Sequence, residues 1–250
     1  MSLKILVWLS YLLYLQPLYS VAQDNIKAPL TVVANPNPLL QYHEEGEDKG
    51  PTVEILNSIL KLAKLNANIY FMPWARAFSE AKNNTNTLIL SMIRTPEREA
   101  DFHWIIKVSQ ATRVFISLKS KPENYVDTIE QAKEKLVGVI LNSSAHQELK
   151  AAGFSEDKNI YLISSVKQLA WLLANGKIDL AYTDPDNIEK NLQAINKADV
   201  EINHKGVSFK NQRISYIALN VNTDEKTVEK LRLAAKKFTE TSKYTYLLTK

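Results

Sequence analysis

Four histidines, His43, His103, His146 and His204, are the obvious candidates for acid–base or metal chemistry in this chain. None stands in HExxH or another spacing that would set two ligands on one helix face. There is no cysteine, so thiolate nucleophiles, disulfides and Cys-based metal sites are all excluded. With 6 glycines the chain has little material for a phosphate-cradling loop, and neither a GxSxG elbow nor a dinucleotide fingerprint occurs. Paired acids such as Glu44–Glu45 and Asp184/Asp186 read as surface charges more readily than as an acid–base couple. The expectation is a protein that binds rather than one that catalyses, with no cofactor and no metal.

Three loops look suited to holding a small polar molecule. In "SMIRTPEREADF", Ser91, Thr95 and Arg98 follow the apolar run "TLIL", where the carboxyl ends of parallel strands place ligands. An arginine there can grip a carboxylate through two parallel charge-assisted hydrogen bonds; alternatively Arg98 pairs with Glu97 or Asp101 at the surface. Arg94 is either a second charge facing a doubly anionic ligand or a surface partner of Glu97, and the surface is favoured. Asn142-Ser143-Ser144 lies between the run "LVGVIL" and a helical stretch, where free N–H groups and hydroxyls meet an anion, or where an ordinary N-cap sits. Asp184 closes "IDLAY" in the same way, as a seat for an ammonium or as part of a "TDPD" turn.

These loops need elements to hold them, and the hydrophobic periodicity supplies them. "PLTVVAN" reads as a strand stopped by Asn35-Pro36-Asn37-Pro38. "GPTVEILNSILKLAKLN" has Pro at a helix start and apolar residues at Val53, Leu56, Ile59, Leu60 and Ala63, one face of a helix. "NANIYFMPW", "ARAFSEAKNN" and "TLILSM" continue as strand, helix, strand. A second series follows: "RVFISLKS", "LVGVILN", "NIYLIS" and "IDLAYTD" as strands, "VDTIEQAKE", "SAHQELKAAG" and "SVKQLAWLLANG" as the helices among them. "ISYIALN" and a helix "DEKTVEKLRLAAKKFTET", capped by Thr223-Asp224, close the chain. Alternation of this kind predicts an α/β fold with parallel sheets and right-handed crossovers, in two units.

The first residues are set apart from that fold. Lys4, an apolar stretch from Ile5 to Leu18 and the small-x-small pattern Ser20-Val21-Ala22 have the layout of an export signal cleaved after position 22. About 228 residues then remain, enough for one large domain or two lobes. The formal charge of +4 is spread among acids instead of clustered, which argues against nucleic acid as a partner. A cysteine-free exported chain points to the periplasm of a Gram-negative bacterium.

The pieces taken together, Gly50 with Glu54, "PWARA" at 73–77, "TPER" at 95–98 followed by "DFHW", "LVGVILNSS" at 136–144 and "LLANGKIDLAYTD" at 172–184, resemble the bacterial extracellular solute-binding proteins of the polar amino-acid type, receptors for ABC importers. The resemblance runs from about residue 28 to 250. It implies a two-lobed, hinged periplasmic-binding-protein-like fold of type II, crossed twice by the chain. Lobe 1 would be residues 23–113 plus 209–250 and lobe 2 residues 114–208, with crossings near Arg113–Phe115 and Phe209–Arg213. Arg98 would bind the ligand's α-carboxylate with help from Ser143 and Ser144, and Asp184 its α-ammonium. Trp74 would wall the cleft, whose shape would also depend on Tyr42 and Arg76. The implied partners are a small-molecule ligand and an inner-membrane ABC permease, served by a monomer. A sensory module for a membrane receptor and a dehydratase-like enzyme are the alternatives such a scaffold supports. Three positions depart from the family pattern. The loop at 35–38 has no aromatic unless Tyr42 swings in, Ile93 replaces a hydroxyl residue, and "NNTNT" at 83–87 replaces a Gly-x-x-Asp.

Overall fold

The β-branched run Leu30–Ala34 forms strand β1, buried at all but one position. A short hairpin, β2 (Tyr42–Glu44) and β3 (Glu47–Lys49), leads into helix α1 (Pro51–Ala63). Then come β4 (Ala67–Phe71), α2 (Trp74–Asn83), β5 (Thr87–Ile93) and a 3₁₀ turn at Pro96–Arg98. Strand β6 (Phe102–Ala111) runs to the edge of the next unit. That unit holds β7 (Val114–Ile116), α3 (Ile129–Lys133), β8 (Val137–Ile140), α4 (Ser144–Ala151), β9 (Ile160–Ile163), α5 (Val166–Ala174), β10 (Leu180–Thr183) and α6 (Pro185–Ala194). The chain closes with β11 (Arg213–Asn220), α7 (Glu225–Thr239) and α8 (Ser242–Leu248). This computed structural model describes residues 29–209 and 213–249. The proposed export signal at 1–22 and the middle of the second expected crossing, 210–212, lie outside the described residues. Among them, no helix is long and apolar enough to cross a membrane.

Two sheets organise these elements. One has the order β4-β1-β5-β11-β6 and the other β7-β10-β8-β9. Both are mixed, which corrects the expectation of parallel sheets. β1, β4 and β5 run parallel, as do β8, β9 and β10, whereas β11 is antiparallel to β5 and β6, and β7 to β10. β6, which the sequence reading left unassigned, runs parallel to β5 without pairing with it, and the gap between them is filled by β11, which returns from the second unit in the opposite direction.

Each sheet is covered on both faces, which explains its continuous apolar strands. On the first, Val53, Ile59, Leu231 and Phe238 of α1 and α7 pack against Val32, Leu88 and Ile217. Trp74, Ala77 and Ala81 of α2 cover Val33, Ile89 and Ala218 on the other face. On the second sheet, Leu169, Leu173, Ile188 and Leu192 of α5 and α6 face Ile116 and Ala181, and Ala145 and Leu149 of α4 face Val137, Val139 and Tyr182. Helix ends follow their sequences. Thr128 forms a reciprocal capping box with Gln131, and Asp224, as expected, accepts from the Thr227 N–H at the start of α7. Gly50, with φ at 110°, sits where a Cβ would lie 2.5 Å from the Leu40 carbonyl oxygen. Only glycine lets α1 begin that close to the loop after β1.

Candidate ligand-binding site

The carboxyl ends of β1, β5, β8 and β10 converge on a cavity of about 400 Å³ between the two sheets. Its wall takes Asn35, Leu39, Leu40 and Gln41 from the loop after β1, and Leu90, Ser91 and Ile93 from β5. Ile140, Ser143 and Ser144 face them from the end of β8 and the start of α4, with Thr183, Asp184 and Asn187 from the β10–α6 junction. Gln110, Thr112 and Arg113 line it where the chain passes from one sheet to the other, and Leu248 and Thr249 where α8 ends.

Arg98 is the dominant feature of this wall. The 3₁₀ turn, whose first bond runs from the Arg98 N–H to the Thr95 carbonyl (3.0 Å), folds the side chain inward until it is 2% exposed. Its Nη1 donates to the Ile93 carbonyl (2.9 Å), and the guanidinium lies 5.3 Å from the Trp74 ring centre and 5.0 Å from that of Phe78. Nε and Nη2 are buried without a hydrogen-bond partner. Burial first, and the positive charge of Arg113 second, bring its pKa down to about 10. The surface pairing with Glu97 or Asp101 that was the alternative is not formed; Asp101 pairs with Lys82 (2.8 Å). Two buried guanidinium donors are thus left able to bond an acceptor placed beside them.

The opposite wall carries two hydroxyls and a carboxylate. Ser143 is the N-cap of α4, its hydroxyl oxygen accepting from the His146 N–H (3.2 Å). The Ser144 oxygen accepts from Nη2 of Arg113 (3.0 Å). Asp184 caps α6, accepting from the Asp186 N–H (3.0 Å), and burial raises its pKa above the ordinary aspartate value. Ser143 and Asp184 each cap a helix and line the cavity. Across the gap, Trp74 Nε1 donates to the Asn142 carbonyl (3.0 Å), tying α2 of the first sheet to the loop after β8 in the second.

Of the residues expected at the site, Arg98, Ser91, Trp74, Ser143, Ser144 and Asp184 line the cavity, whereas Thr95, Tyr42 and Arg76 do not. Thr95 opens the turn that positions Arg98. Tyr42 begins the β2–β3 hairpin opposite Lys49. Arg76 is 71% exposed beside Glu80. Ser91 sits at φ 52° where the β5–β11 ladder slips, and its hydroxyl donates to Gln41 Oε1 (2.6 Å). Non-glycine residues held at positive φ are uncommon, and such strain gathers at functional sites. Arg94 points away from the cavity, paired at both nitrogens with Glu99 (2.8 and 2.9 Å) and stacked over Trp104 and Tyr216. It is a surface residue, with Glu99 in the place expected of Glu97.

The residue that sequence reasoning passed over is Arg113, treated there only as a crossing point. Its Nη1 donates to Glu148 Oε2 (3.2 Å), which also accepts from the Tyr182 hydroxyl (2.8 Å), and Arg213 pairs with Oε1 of the same carboxylate. One glutamate on α4 thus holds an arginine from each segment that joins the two sheets. As for metals, Asp186, Glu189 and His204 bring ligand atoms within 4.8 Å of one another at the surface, where His204 already bonds Glu189 at 2.7 Å.

Comparison with known proteins follows the same lines. Residues 30–250 match the family model of the bacterial extracellular solute-binding proteins, family 3. Among solved structures, the chain is similar to a histidine kinase sensor domain with similarity to periplasmic binding proteins (TM-score 0.77, 14% identity, 88% of this chain and 94% of that one). It is similar to the arginine-, lysine-, histidine-binding protein ArtJ from Geobacillus stearothermophilus (TM-score 0.73, 18% identity, 88% and 93%). The GluR0 ligand-binding core from Nostoc punctiforme, solved with L-glutamate, is also similar (TM-score 0.70, 17% identity, 88% and 97%). At these identities the likeness shows the fold, a periplasmic-binding-protein-like one. No curated protein matches the chain in sequence.

Proposed function

This chain belongs to the bacterial extracellular solute-binding proteins of family 3, and from that premise we propose that it captures a small polar, carboxylate-bearing solute in the cavity between its two sheets. The observation that carries this reading is Arg98, buried at 2% exposure with Nε and Nη2 unpaired at the cavity wall. A carboxylate would take both donors, with Ser143 and Ser144 reaching it from the other side and Asp184 receiving an ammonium where the solute has one. Trp74 and Ser91 complete the wall. Thr95 acts by shaping the turn under Arg98, and Tyr42 and Arg76 take no part in the wall.

In this reading residues 23–113 with 209–250, and residues 114–208, are lobes hinged at two crossings. Closure is driven by contacts that exist only when both walls meet the solute. The signal at 1–22 would be removed on export, and the monomer would work in the periplasm, handing its solute to an ABC importer. The family is one of binders, so turnover is not assigned. A second reading has its own support in the likeness to a histidine kinase sensor domain, namely presentation of the bound solute to a membrane receptor. Native mass spectrometry of protein taken from its own periplasm tests the reading directly. A co-purifying solute that Arg98→Gln no longer retains is expected, and equal retention by the variant refutes the assignment of Arg98. Capture of the membrane partner by crosslinking separates permease from receptor.

A further inference from the structure

Accepting the cavity as the solute site, we infer that the solute is a compact dicarboxylate, one carboxylate held by Arg98 with the hydroxyls of Ser143 and Ser144 and the other by Arg113. Three observations carry this. First, both serine oxygens already accept a hydrogen bond, Ser143 from the His146 N–H and Ser144 from Arg113. Each hydroxyl therefore has its proton left to give, and the pair presents donors at the N-terminus of an eight-residue helix.

Second, Arg113 lines the same cavity with its side chain 12% exposed, close enough to Arg98 to lower that residue's proton affinity. An anion that answers Arg98 alone leaves this second cation facing the solute. Third, among the described residues of the cavity wall a basic side chain would find only Asp186 beyond Asp184, at the exposed rim. The modest cavity, about 400 Å³, suits a short molecule.

The chemistry is shared by amino dicarboxylates and plain ones, and Asp184 divides them, since only the former bring an ammonium. The test is calorimetry and thermal shift on the purified chain stripped of carried solute. Its probes are L-glutamate, L-aspartate and succinate, their neutral counterparts L-glutamine and L-asparagine, and L-arginine and L-lysine. Dicarboxylates are expected to bind tighter than the matched amides by about tenfold to a hundredfold, the loss of one charge-assisted contact. Arg113→Gln should erase most of that discrimination and Arg113→Lys should keep part of it. Asp184→Asn should weaken glutamate and aspartate but not succinate. Equal or tighter binding of the amides or the basic amino acids, lost in Arg98→Gln, overturns the dicarboxylate inference and leaves the solute-binding reading standing. No binding by any of the three classes overturns the inference and counts against that reading as well. If Arg113→Gln does not fold, the comparison within the wild-type chain decides alone.

Discussion

Arg98→Met should make the empty protein more stable while removing its ability to bind. Arg98 is 2% exposed, and burial holds its pKa down to about 10, well below the ordinary arginine value. That difference corresponds to roughly 3 kcal/mol of penalty on the charged form. A base whose folded pKa is lowered carries the full penalty below about 10, and the penalty fades as pH rises from there toward the ordinary arginine value. Against this stand the hydrogen bond to the Ile93 carbonyl, about 1 kcal/mol, and the contacts with Trp74 and Phe78, of which a methionine sulfur recovers a part. The net expectation is a gain of about 1–2 kcal/mol at neutral pH, a rise in Tm of roughly 2–8 °C for a chain of this length. In wild type, solute at 100 times its Kd should add about 2.7 kcal/mol, and in the variant nothing. Scanning calorimetry with and without solute measures both. A variant whose empty form melts several degrees lower would refute the idea that the site holds an uncompensated charge in readiness.

Other expectations follow from single contacts. Glu148→Gln leaves Arg113 and Arg213 without their shared charge and should cost about 3–5 kcal/mol by urea denaturation; a cost below 1 kcal/mol would mean the cluster is solvated. Trp74→Phe removes the bond to the Asn142 carbonyl and should raise solute Kd about fivefold, read by calorimetry, with little change in the empty protein's Tm. Gly206→Ala would drive a Cβ into the Phe115 carbonyl oxygen, so the segment must move and soluble yield should collapse. Asp184 has its pKa raised above 3.8 by burial, so its protonated form is favoured on folding. The affinity for an ammonium-bearing solute should therefore fall, as pH is lowered, at a higher pH than an ordinary aspartate would give. Titrations from pH 7 to 4 check this, and a pH-independent Kd would remove Asp184 from the ammonium site.

What could be read in the sequence was what local pattern encodes. Apolar periodicity located the buried strands and most helices, and the turn after "TLIL" announced Arg98. Strand β6 escaped because its aromatics and polar residues, "FHWIIKVSQA", keep neither a clean alternation nor a continuous apolar run. Its antiparallel setting depends on β11, far along the chain. Arg113 escaped for a related reason. Nothing near it in sequence marks it as a cavity residue, and Glu148 reads as one more polar position of an amphipathic helix until folding places both crossing arginines against it. Tyr42 was expected to swing inward, but its hairpin is fixed by pairing with Lys49, and Gln41 faces the cavity instead.

The placement of β11 also sets an order of events during folding. The four-stranded sheet draws on residues 114 to 183 alone and can assemble as soon as they are available. The five-stranded sheet cannot. Among the described residues β6 pairs only with β11, so its ladder waits for a strand that starts at Arg213 and must close a loop of the order of a hundred residues, at an entropic cost of about 4 kcal/mol plus a constant. Until then β5 is an open edge of a three-stranded apolar sheet. A chain arriving N-terminus first therefore passes through a stage when its contiguous half is built and its other half is open to aggregation, and it depends on its last forty residues to end that exposure.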